Sequence, residues 1–168
     1  MDVQSYPQWV YQCDTATNNF DTEHPELVYM AFSGIWPTKG RDIVVSSSIQ
    51  QQQPNGTVHI KVDQFDYPSN VNDDYLRMPM LNNNWYVTPL EDGWTEIEFQ
   101  THFSAGGKVP KWVINMAVSM APKNTLKGMR KLLAKGLYRT SSIRELPFQT
   151  EEVLALRFDK QQHTLASK

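Results

Sequence analysis

Four histidines, one cysteine and a run of three serines are the side chains of this 168-residue chain best suited to chemistry. The histidines stand at 24, 59, 102 and 163, and no two share a metal-ligand spacing. His59 and His102 fall on the polar faces of alternating segments, so they read as solvated side chains. No metal and no other cofactor is expected. Cys13 shares an apolar stripe with Trp9 and Val10, which suits a buried and inert thiol; as the single cysteine it forms no internal disulfide. Ser46-Ser47-Ser48 lacks the glycines of a nucleophile elbow. Gly106-Gly107 precedes a helical pattern, but two glycines fit a linker turn better than a phosphate loop. With no matched acid–base pair in view, the expected protein is not an enzyme.

The charges give a second set of candidates. Sixteen basic and eighteen acidic residues leave a net charge of −2, too weak a field to recruit nucleic acid. Lys127, Arg130, Lys131 and Lys135 cluster in the last turns of a helix, where cations suit its dipole; a transient membrane contact is the lesser reading of that cluster. Arg77 lies between Leu76 and Met78 with Tyr75 nearby, and Arg41 opens the run Ile43–Ile49. Each faces either solvent or a buried site, where a guanidinium needs a partner or a polar ligand group. There is no apolar run long enough to span a membrane, and MDVQSYPQWV has no basic region leading into an apolar core. A cytoplasmic location is therefore expected.

These side chains must be positioned by short strands and one long helix. Residues 2–13 fit a short helix, and the polar segment TATNNFDTEHP a loop. Strands are predicted over Glu26–Ser33, Arg41–Gln52 and Thr57–Phe65, the last two joined at Pro54-Asn55-Gly56. Val44 interrupts the alternation of its strand. A second hairpin is predicted from Tyr75–Leu81 and Trp85–Leu90 around Asn82-Asn83-Asn84. Thr95–Phe103 has the cleanest period of two, with Ile97, Phe99 and Phe103 on one face. Gly106–Gly136 then carries Val113, Met116, Ala117 and Met120, followed by Leu126, Met129, Leu132 and Leu133, at helical spacing. Pro110 suits its start, and Pro122 is expected to kink or split it. About six strands and a covering helix make an α+β fold, an antiparallel sheet with one solvated face. A helix over Glu151–Phe158 is expected in the remainder.

Trp9 with Cys13, Trp36-Pro37 before Arg41-Asp42, Leu76-Arg77, Trp85 through Thr88-Pro89-Leu90, Gly93 with Thr95, and Gly107–Asn115 occur in a specific order. In that order and spacing the chain resembles the StAR-related lipid-transfer (START) domain of the helix-grip superfamily, from about Asp2 to Leu133. The resemblance implies a curved antiparallel sheet gripping a C-terminal helix around an internal hydrophobic cavity for one lipid or sterol. It also implies that Arg77 matches the family's charged cavity residue. Ser104 and Ala105 replace the acid and proline usual before the paired glycines. The family's first helix and strands precede what is Asp2 here, so a shortened domain over 1–137 and an extension over 138–168 are expected. The sheet edge left bare is expected to be covered by that extension or by a second subunit as a homodimer.

The expected function is non-catalytic binding, with transfer, of a lipid, sterol or other hydrophobic molecule. The expected ligand residues are Arg77, Arg41, Ile43, Val45, Tyr75, Ile97, Phe99, Val113, Met116 and Met120. A polyketide cyclase or aromatase-like enzyme, using Tyr75, Arg77 and His102, is the alternative. A ligand-free interaction module is the second.

Overall fold

The computed structural model describes residues 2–52, 55–91 and 93–136. Among the described residues, seven strands and one long helix follow an N-terminal 3-10 helix, Val3–Gln8. The strands are β1 (Cys13–Thr17), β2 (Val28–Phe32), β3 (Arg41–Gln52), β4 (Thr57–Gln64), β5 (Leu76–Arg77), β6 (Met80–Pro89) and β7 (Thr95–Ser104). They form one sheet in the order β1-β2-β3-β4-β6-β7, antiparallel throughout that path, with β5 pairing parallel to β3. The helix α1 spans Lys111–Leu133.

Two expectations about the strands are corrected. Cys13–Thr17 is a strand, where the sequence suggests the end of a helix and a loop; a register shift between Cys13 and Thr15 bends it as it pairs with β2. The expected hairpin around Asn82-Asn83-Asn84 does not form. These asparagines lie inside β6, because each finds a place in the ladder between β4 and β7. Asn82 donates to Asp63, Asn84 donates to Asn82, and His59 Nε2 lies 2.8 Å from Asn84 Oδ1. Paired on both sides, asparagine loses its reason to turn.

The sheet is not solvated over one whole face either. Val28, Met30, Ile43 and Val45 pack with Val3, Cys13, Ala16 and Met78 on one side. On the other, Leu27, Tyr29, Ala31 and Val44 form a second core beneath Phe20, Tyr67, Val71 and Tyr75. Val44, which broke the alternation of β3, is fully buried here. Burial on both faces removes the pressure for alternation.

The helix runs unbroken through Pro122. Its first half packs on the sheet through Val113 and its second half on the turn after the 3-10 helix. There Thr125 Oγ1 accepts the Tyr11 N–H at 3.1 Å. Gly128 lies so close that a Cβ would come within 2.5 Å of the Trp9 carbonyl oxygen. Anchors on both sides hold the helix together across the one hydrogen bond that proline removes. Strands β1 and β7 are the edges of the sheet, and the extension expected to cover a bare edge lies outside the described residues, as does the helix expected over Glu151–Phe158.

Candidate functional site

Between the sheet and α1 lies a pocket of about 240 Å³. Its lining follows from the pleat and from helical spacing. Alternate residues of β3, β4, β6 and β7 present Val45 and Ser47, Val62, Leu81, Asn83 and Trp85, then Phe99, Thr101 and Phe103. Every fourth residue of α1 presents Val113, Ala117, Ala121 and Thr125, with Val109 just before the helix adding to the stripe. The small side chains at 117 and 121 leave space where larger ones would fill it. Trp85 stacks on Phe99 with ring centroids 3.9 Å apart, and Trp9 meets Trp85 edge-on at 6.0 Å. Aromatic rings thus wall one side of the pocket, and Tyr6, its hydroxyl pKa raised mainly by burial, stays neutral there.

Polar groups are few and unevenly placed. Among the described residues, Lys39 and Arg41 are the only charged side chains in the lining. Arg41 Nε donates to the Ala105 carbonyl at 2.8 Å, Nη2 to that of Gly106 at 3.4 Å, and Nη1 to that of Lys39. It therefore ties β3 to the turn that launches α1. That turn needs its glycines, since Gly106 and Gly107 both take a φ of +65°. Further along the floor, Asn83 Oδ1 is buried with no hydrogen-bond partner. Leaving such an acceptor unpaired costs about 1–3 kcal/mol.

Of the residues expected from sequence, Arg41, Val45, Phe99 and Val113 line the pocket. The others stand elsewhere. Arg77 pairs with buried Asp42 through Nε at 2.9 Å and Nη2 at 3.3 Å. Parallel register sets Arg77 beside Asp42, which alternates with Arg41 on β3 and so takes the face opposite the pocket. Tyr75 packs on that second core, its hydroxyl 3.5 Å from Asp14. Ile43 is buried in the packed core next to the pocket, and Ile97 lies beyond Phe99 towards the far end of β7. Met116 and Met120 sit one residue, about 100°, round the helix from the lining stripe; Met120 is 38% exposed, with its sulfur near the Tyr11 hydroxyl. Apolar residues on both stripes made the choice of face undecidable from periodicity.

Asn83, Thr101 and the Ala117–Ala121–Thr125 stripe also line the pocket and are not among the residues expected from sequence. One signal was available: Thr101 interrupts the apolar face of β7 between Phe99 and Phe103. Cys13 belongs to the packed core, with its thiol pKa pushed up to about 12 by burial.

A seven-stranded, almost wholly antiparallel sheet closed by a C-terminal helix defines a helix-grip protein. The START domain family matches residues 1–136, and the chain belongs to that family. It is 31% identical over 136 residues to the uncharacterized protein PA1579 of Pseudomonas aeruginosa, a match covering 80% of this chain and 66% of that relative. Among solved structures it superposes on a STAR-related lipid transfer protein of Xanthomonas axonopodis with a TM-score of 0.66 at 24% identity, over 79% of this chain and 74% of that one. Human STARD10 gives 0.64 at 18% identity, over 86% and 60%. The chain thus spans just under two thirds of the relative from Pseudomonas. Among the described residues, no helix is long and apolar enough to cross a membrane.

Proposed function

We propose that this protein binds one hydrophobic small molecule, a lipid or a molecule of similar character, in the pocket under α1, without transforming it. The observation that carries this reading is the lining itself. Strands from across the sheet and one helix stripe converge on a space walled by Trp, Phe, Leu, Val and Ala, where a packed core would be closed by larger side chains. Burying ten methylenes there contributes up to about 8 kcal/mol before the costs of association. Arg41, Val45, Phe99 and Val113 are the expected contacts, with Trp9, Trp85 and Ala121 added. The name of the solved relative from Xanthomonas axonopodis, a STAR-related lipid transfer protein, agrees with this reading.

Native mass spectrometry of the purified protein, followed by solvent extraction and identification of the extract, tests it. A stoichiometric hydrophobic molecule is the expected result. Trp9 and Trp85 line the pocket, whereas Trp36, Trp94 and Trp112 are more than half exposed, so filling the pocket should also shift tryptophan emission. A protein that purifies empty and takes up no hydrophobic probe would leave the pocket without a ligand.

A further inference from the structure

The floor of the pocket is not uniformly apolar. Ser47 pairs in register with Val62, Val62 with Asn83, and Asn83 with Thr101, so these four form a single row across β3, β4, β6 and β7. All four line the pocket. On one side the row is bounded by Trp85 and Phe99, register partners of each other, and on the other by Leu81 and Phe103. Three of its four members carry hydrogen-bonding side chains, whereas Leu81, Phe103 and Phe99 carry none and Trp85 only its indole N–H donor. Asn83 sits at its centre, with a buried carbonyl oxygen that meets no donor in the protein.

Charge is absent from this row. The two lining cations, Lys39 and Arg41, stand towards the other end; Arg41 is six residues from Ser47 along β3, roughly 20 Å at strand rise, and the Ala105 carbonyl it binds is four residues, roughly 13 Å, past Thr101. A carboxylate or phosphate at the row would be buried with no cation to meet it, and an ammonium with no anion. A hydroxyl suits the site: its proton satisfies the Asn83 acceptor, and its oxygen can accept from the Thr101 hydroxyl. We infer that Asn83, with Thr101, is a hydroxyl-recognition site, and that the ligand is a neutral, largely hydrocarbon alcohol. This rests on the proposed binding function and narrows it.

The test displaces the neutral fluorescent probe N-phenyl-1-naphthylamine from the delipidated full chain with decane, 1-decanol or decyl methyl ether. The hydrocarbon lengths match, so differences report the polar group. 1-Decanol should bind about 10-fold or more tightly than decane, and the ether, whose oxygen can accept from Thr101 but which brings no proton to Asn83, should fall well short of the alcohol. Asn83→Leu should abolish the preference for the alcohol, and Thr101→Val should reduce it. Equal affinities of the wild-type protein for decane and 1-decanol would overturn the inference while leaving hydrophobic binding intact. So would an alcohol preference undiminished in Thr101→Val and in any folded Asn83→Leu. A probe that never binds would overturn both readings.

Discussion

Truncating Arg77 to methionine separates the architecture seen here from the one suggested by family resemblance. If Arg77 faced the ligand, its loss would weaken binding and spare the fold. In the structure it forms two charge-assisted hydrogen bonds to Asp42, whose side chain is 2% exposed, while its own is 23% exposed. Arg77→Met therefore strands a buried carboxylate. Breaking a buried pair by removing one partner costs about 3–5 kcal/mol, and the partial exposure of Arg77, which admits some water, places this case near 3 kcal/mol. For a domain of this size that is a fall in Tm of roughly 10 °C. The double variant Asp42→Asn, Arg77→Met should recover much of the loss, because no unpaired charge remains. The assay is thermal unfolding followed by circular dichroism, with probe affinity measured on each folded variant. An unchanged Tm together with weakened probe binding would refute the reasoning and return Arg77 to the pocket.

Three further outcomes follow from local geometry. Gly128→Ala would ordinarily stabilise a helix by about 1 kcal/mol. Here the new Cβ meets the Trp9 backbone at 2.5 Å, so a net loss of about 1–3 kcal/mol is expected in chemical denaturation. Cys13, buried and with its pKa raised to about 12, should resist a thiol-specific disulfide reagent at pH 8 until the protein is unfolded; rapid labelling of the native chain would contradict its placement. Asp63 is held below the ordinary carboxylate range, chiefly by its hydrogen bond from Lys61 and against some desolvation. Its folded pKa is depressed, so its contribution is present above the unfolded value near 4 and is lost as pH falls through the folded one. Asp63→Asn should therefore lose less Tm between pH 7 and pH 3 than the wild type does.

Local chemistry made much of this fold legible in the residues. Alternation placed β4 and β7 to within a residue at their ends, and helical spacing with Pro110 and the following cationic turns located α1. Those features depend on near neighbours and on a single buried face, which is what periodicity records. Where burial came from two sides or pairing from two neighbours, the residues misled. The run at Val44 read as a flaw in a strand and proved to be the floor of a second core. Asn82-Asn83-Asn84 read as a turn until β4 and β7 flanked it.

The candidate site divides along the same line. Residue order and type determined that this is an α+β chain of the helix-grip kind, with apolar side chains enough to wall a pocket and Arg41, Val45, Phe99 and Val113 among them. Only the tertiary structure decided which stripe of the helix faces the sheet, because Met116 and Met120 compete with Ala117 and Ala121 on apolarity alone. It also decided that Arg77 belongs to Asp42, since a parallel pairing 35 residues apart in sequence leaves no periodic trace. The row from Ser47 to Thr101 exists only through strand register. Side chains up to 54 positions apart become neighbours there because four strands align, a long-range fact that no local pattern carries.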